Sequence, residues 1–168
     1  MIGEKKQILS KIHSQFVNNA PHVLGLTLRC IPFSIKKQAI EQLLHLQFEH
    51  SLEDGDLDFL ENRWLKIEVT DLGLIWFVSL IENKLVVSRE EISDVSFIAN
   101  ANDLIMIATR RQDPDTLFFQ RRLIVEGDTE LGLYVKNLMD SIELETMPKF
   151  LRLTLEKLAN IIESVPIN

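Results

Sequence analysis

The stretch from Asp113 to Asn137, DPDTLFFQRRLIVEGDTELGLYVKN, leaves the chain few choices of local structure. Asp113 suits a helix N-cap, since its carboxylate accepts from the free amides of a first turn, and Pro114 follows where a missing N–H costs nothing. A helix is predicted to begin here. Leu117, Phe118 and Phe119 give it an apolar body ahead of Arg121 and Arg122. Leu123, Ile124 and Val125 form a β-prone run ended by Glu126 and Gly127, where glycine supplies a backbone geometry that branched residues resist. Asp128 or Thr129 then caps a second helix, with Leu131, Tyr134, Val135, Leu138 and Met139 at helical spacing.

This succession, with its Glu126-Gly127-Asp128 turn, resembles the signature of the sterol carrier protein 2 (SCP2) lipid-binding domain family. The match runs from roughly Leu46 to Glu145 and takes in a strand followed by a short helix around Asp94 to Arg110. The resemblance implies an α+β fold, SCP2-like, with a mainly antiparallel sheet of about five strands covered by helices around an apolar tunnel or cavity. In one respect the chain departs from the family: a glycine often stands where Arg121 is found, which bears on the turn before the strand.

The rest of the chain fits one domain with helical arms. Ile8, Leu9, Ile12 and Phe16 share one side of the segment Glu4 to Asn19, an amphipathic pattern that Pro21 ends. The next segment, PHVLGLTLRCIPF to Phe33, carries a single formal charge, Arg29. It reads either as an extended strap over the core or as a segment that touches a bilayer or covers a cavity mouth. From Ser34 to about Ser51, Ile35, Ala39, Ile40, Leu43, Leu44 and Phe48 recur near a helical period. The acidic turn that follows lacks calcium-loop spacing at Asp54-Gly55-Asp56.

Leu65, Ile67 and Val69 alternate with Lys66, Glu68 and Thr70, the mark of a half-buried strand. Leu74 to Ile81 is apolar on both sides, which places it centrally, and Glu82-Asn83 turns it into Leu85 to Ser88 as a hairpin. Asp94 to Ala99 is a further strand, and Asn100 or Asn102 caps the helix of Asp103 to Arg110. Pro148 opens a last helix with Phe150, Leu151, Leu155, Leu158, Ile161 and Ile162 as its apolar residues. The expected organisation is therefore residues 1–33 as an N-terminal helix and strap, 34–145 as the SCP2-like domain, and 146–168 as a C-terminal helix packed on it.

A chain of 168 residues accommodates one such domain and a modest extension. Its net charge of −7 argues against nucleic acid as a partner, because phosphate neutralisation needs a basic face. Cys30 stands alone, so no intrachain disulfide forms and a reducing cytoplasm is the natural setting. No apolar run reaches the roughly 18 residues of a membrane span, and MIGEKKQILSK lacks the order of a signal peptide. A cytoplasmic protein is expected, with peripheral contact to the inner membrane where a lipid is handled. A hydrophobic content of 46% suits a lipid cavity and a filled core equally.

Catalytic motifs are not found. There is no Gly-x-Ser-x-Gly elbow, no dinucleotide loop and no Cys-x-x-Cys. Gly127 and Gly132 have the spacing of a phosphate loop, but Leu133 and Tyr134 stand where Lys and Ser or Thr are required. His45 and Glu49, with Glu41 a turn earlier, have the spacing of a weak metal or general-base pair and equally of an ordinary helix-surface pair. The expectation is a protein that is not an enzyme, with no cofactor and no metal.

What the resemblance implies is a non-catalytic lipid-binding accessory factor. Over Gln112 to Glu145 the chain is similar to bacterial accessory factors of oxygen-independent ubiquinone biosynthesis. Such a factor binds hydrophobic prenylated quinone precursors or phospholipid and presents them to biosynthetic enzymes, with the peptidase-like proteins UbiU and UbiV as implied partners. An exposed methylene costs about 0.8 kcal/mol in water, so hiding even eight of them is worth about 6 kcal/mol. A tail-binding domain needs no catalytic residue to be useful. Candidate tail contacts are Trp76, Met106, Phe118, Phe119, Leu131, Leu138 and Met139. Arg121 and Arg122 are candidate headgroup or membrane contacts, or else solvated charges. Two other readings stand beside this one: an interaction scaffold with a filled core and no lipid, and a small hydrolase or transferase using His45 or Cys30.

Overall fold

The strands form where alternation and β-branched runs place them. In the computed structural model, which describes residues 31–142 and 144–164, they are β1 (Leu65–Val69), β2 (Leu74–Ile81), β3 (Lys84–Ser88), β4 (Val95–Ala99) and β5 (Leu123–Gly127). The helices are α1 (Phe33–Glu53), α2 (Ala101–Ala108), α3 (Pro114–Phe119), α4 (Thr129–Ser141) and α5 (Lys149–Glu163), with short 3-10 turns at Asp58–Leu60 and Leu144–Thr146. The expected helix at 4–19, most of the strap, Cys30 and the chain's last residues lie outside the described ones.

The sheet order is β3-β2-β1-β4-β5, with β1 and β4 parallel and the other neighbours antiparallel. The fold is thus α+β with a mainly antiparallel sheet. The middle place belongs to β1, not to the more apolar β2. The apolar character of β2 has another cause: its second half lies against residues 60–62, where Ser79 Oγ donates to the Leu60 carbonyl and Asn62 N–H donates to the Leu80 carbonyl at 2.9 Å. Glu82 and Asn83 both take positive φ, 50° and 59°, as the tight hairpin between β2 and β3 requires.

One face of the sheet carries the core. Leu65, Leu80, Val95, Phe97 and Leu123 point there and meet Leu117 of α3 and Leu131 and Val135 of α4. At the edge strand β3, α1 crosses over, and Glu41 Oε1 accepts from the otherwise free Val87 N–H at 2.8 Å. That contact closes an edge that would otherwise invite another strand.

The helix starts differ in how they are capped. Asp113 accepts from the Thr116 N–H at 2.9 Å, and that bond holds its carboxyl below the usual carboxylate range. At α4, Asp128 Oδ1 accepts from Glu130 N–H and Leu131 N–H, both at 3.0 Å. For α2 the cap comes from elsewhere: Asn100 gives no side-chain cap, its Oδ1 being taken by the Thr70 hydroxyl, and Asp71 Oδ1 accepts the Ala101 N–H at 2.9 Å. Lys136 of α4 donates to Asp115 of α3 at 2.6 Å, which raises the pKa of the ammonium and ties the two helices together.

Both arginine pairs lie at helix C-termini. After α2, Arg110 N–H donates to Ile107 and Arg111 N–H to Met106; after α3, Arg121 N–H donates to Phe118 and Arg122 N–H to Leu117. This is the paired hydrogen-bond pattern that ends a helix through a left-handed residue, and glycine usually fills that place. Here arginine does, with φ of 55° at Arg110 and 58° at Arg121. The family's glycine at the second position therefore has a backbone reason. Arg121→Gly should relieve strain of about 1–2 kcal/mol, offset in part by the greater freedom of glycine in the unfolded chain. The expected gain is about 0.5–1 kcal/mol, and a melting temperature lower than that of the parent would contradict this account.

Candidate functional site

Between the core face of the sheet and the helices lies an apolar cavity of about 200 Å³. The sheet contributes Leu65, Ile67, Val78, Leu85 and Phe97 to its floor. Leu44 and Phe48 of α1 and Leu57 and Leu60 beside the first 3-10 turn form one wall, and Leu104 of α2 adds to the roof. Val135, Leu138 and Met139 of α4, followed by Ile142, form the other wall. No polar side chain lines the space, so a water inside would find no hydrogen-bond partner among the side chains around it. Such a space holds hydrocarbon or stays dry. Phe59 stacks on Tyr134 with ring centroids 5.3 Å apart, joining the two walls from outside.

Two of the expected tail contacts, Leu138 and Met139, line this cavity. Leu131, one helical turn before Val135, is fully buried in the core instead, and Met106 is buried on α2 without reaching the cavity wall. Trp76 is half-buried and pairs across the sheet with Ile67, so it stands on the same face beyond the cavity rim. Phe118 and Phe119 pack edge to face at 5.9 Å and are exposed, Phe119 by 81%. Most of the remaining lining comes from α1, the first 3-10 turn and the sheet, with Leu104, Val135 and Ile142 added from the helical side. Their only sequence signal is apolar alternation, which core and cavity share.

Arg121 and Arg122 line a separate polar cleft of about 370 Å³ with Thr70, Asp71, Asn100 and Asp103. Asp103 is 3% exposed, and Arg122 pairs with its carboxylate, a charge that burial leaves in need of a partner. Arg121 is exposed and forms no ion pair among the described residues. A larger groove, about 750 Å³, runs between the start of α1 and the opposite sheet face. Its walls mix the apolar Ile31, Phe33, Leu74, Ile75 and Phe77 with the charged Lys36, Lys66, Arg89, Glu90 and Glu91, unlike the wholly apolar cavity.

His45 and Glu49 are exposed on α1. Among the described residues no group of three or more His, Cys, Asp or Glu side chains is arranged to hold a metal ion.

Comparison with known proteins places these features. The model of the SCP-2 sterol transfer family matches residues 40–140. The chain is 57% identical over 157 residues to the ubiquinone biosynthesis accessory factor UbiT of Escherichia coli strain K12, an alignment covering 94% of this chain and 90% of that protein. The protein of the same name from E. coli O157:H7 matches to the same extent. Among solved structures, a UbiJ-SCP2 ubiquinone synthesis protein superposes with a TM-score of 0.54 at 23% identity, over 66% of this chain and 93% of the other. That likeness concerns the fold.

Proposed function

Since this chain belongs to the SCP-2 sterol transfer family, we propose that it is a non-catalytic lipid-binding accessory factor of ubiquinone biosynthesis. Its ligand is a hydrophobic prenylated intermediate or a membrane lipid, held by part of its tail. The observation that carries this reading is the wholly apolar cavity walled by Leu138 and Met139. At about 200 Å³ it is smaller than the roughly 300–1,000 Å³ of sites that enclose a drug-sized ligand, so it takes a segment of the tail and leaves the head outside. That division suits presentation to an enzyme, which acts on the exposed ring. Similarity to UbiT supports the pathway; action in the oxygen-independent route and association with UbiU and UbiV are part of the proposal. Arg121, exposed beside Phe119, is the better placed of the two arginines to meet an anionic headgroup, because Arg122 is committed to Asp103.

Organic extraction of the purified protein followed by mass spectrometry tests the reading. A near-stoichiometric quinone precursor or phospholipid is the expected result. An extract with no lipid, from protein expressed with the pathway intact, would favour the scaffold reading and overturn this one.

A further inference from the structure

The last helix turns an apolar face away from the protein. Leu151, Leu155, Ala159 and Ile162 lie on the inner side of α5, with Ala159 fully buried. On the outer side, at helical spacing, stand Phe150 (71% exposed), Leu153, Leu158 and Ile161. An amphipathic helix on a protein surface ordinarily directs charge outward. Here the apolar residues extend from the inner side round to the outer one, and Lys149, Arg152, Glu156, Asn160 and Glu163 take the remaining flank.

Charge on the outer side has one sign. Lys157 stands among the exposed apolar residues and forms no ion pair among the described residues. Of the carboxylates of α5, Glu163 is drawn to Arg111 and Glu156 is half-buried at the flank. A positive, greasy strip on a chain of net charge −7 is suited to an anionic surface. It is poorly suited to a second copy of the chain. A 15-residue helix offers a strip ~22 Å long and ~10 Å wide, ~220 Å², against the ~800 Å² per partner of a stable dimer. A bilayer interface sets no such threshold of matched shape, because acyl chains accommodate apolar side chains one at a time while a lysine stays at headgroup level. Among the described residues no helix is long and apolar enough to cross a membrane, so contact of α5 with a bilayer would be made in the interface plane.

Its attachment gives the strip a purpose. Leu138, Met139 and Ile142 line the cavity, and the chain passes from them through the turn Leu144–Thr146 directly into α5. Gln47 of α1 donates to Thr146 at 2.9 Å, so the turn touches both cavity walls. We propose that α5 docks flat on anionic membrane lipid through Phe150, Leu153, Lys157, Leu158 and Ile161, bringing the Leu138–Ile142 wall of the cavity to the headgroup boundary where a tail can enter. The docking rests on the outer face of α5 alone; its use for tail entry rests on the carrier reading.

The experiment is co-sedimentation of the full chain with phosphatidylcholine vesicles, with and without phosphatidylglycerol. Binding is expected with the anionic vesicles and should weaken as salt rises. The double variant Phe150→Ser, Ile161→Ser should bind at least tenfold less while remaining folded, Phe150 being 71% exposed and Ile161 38%. Lys157→Glu should lose at least fivefold on anionic vesicles and little on neutral ones. No pelleting of the parent protein, equal binding by the double variant, or a dimer that the double variant dissolves would each overturn the proposal. Lipid extraction separates the two readings. Vesicle binding without extractable lipid removes the carrier and leaves the docking; extractable lipid without vesicle binding does the reverse.

Discussion

Gly127→Ala is expected to lower the stability of the protein by about 4 kcal/mol, a fall in melting temperature of roughly 8–16 °C for a chain of this size. The residue has φ of 107°, and a Cβ placed there would lie 2.3 Å from the Asp94 carbonyl oxygen. That oxygen cannot retreat. It accepts the Asp128 N–H at 2.9 Å, while the Asp94 N–H donates to the Trp64 carbonyl and its side chain accepts from the Trp64 N–H at 2.7 Å. The start of β1, the start of β4 and the cap of α4 therefore share one crowded point. Gly132→Ala, in the helix that follows, offers a contrast, since its Cβ would meet only side chains, Val125 at 3.0 Å and Val95 at 3.6 Å, and no backbone. A loss of about 1 kcal/mol is expected there. Near-equal melting temperatures for Gly127→Ala and the parent would show that this crowding is not real.

The second large effect concerns the cavity. Leu104→Phe combined with Leu138→Trp adds apolar bulk from α2 and α4 into the space of about 200 Å³. Excluding only two methylene equivalents of a tail forfeits ~1.6 kcal/mol, close to fifteenfold in affinity, so the lipid recovered by extraction should fall by at least tenfold. Stability distinguishes an open space from a filled one. In a packed core the added bulk would cost about 1–3 kcal/mol, whereas here the delipidated variant should melt at or above the temperature of the delipidated parent. Undiminished lipid content in a folded variant would exclude this cavity as the tail site, and a marked loss of stability would show that side chains already occupy it.

Much of the architecture was legible because its causes are local. Asp113 with Pro114, Asp128 with the amides two and three residues on, and Glu82-Asn83 in a tight turn each act within four residues, so the chain order alone exposes them. The left-handed backbone at Arg121 belongs with these: the family's glycine pointed to the turn, and the structure supplies the φ of 58° behind it. The candidate site was legible in kind and only partly in its members. Leu131 and Leu138 lie two helical turns apart on α4 and look equivalent in the sequence. One packs into the core and the other meets open space, because the elements facing them differ.

The sequence by itself determined the order of these elements, the caps of α3 and α4, the hairpin turn, and the alternation that gives the sheet one apolar face, since each is an interaction between near neighbours. Only the tertiary structure decided that β1 pairs in parallel with β4 and takes the middle of the sheet, that Asp71 caps a helix 30 residues away, and that α5 shows apolar side chains on its outer face. It also decided where the packing falls short. A gap among side chains belongs to no residue, and arises where the helices and the sheet are held apart by contacts made elsewhere in the fold.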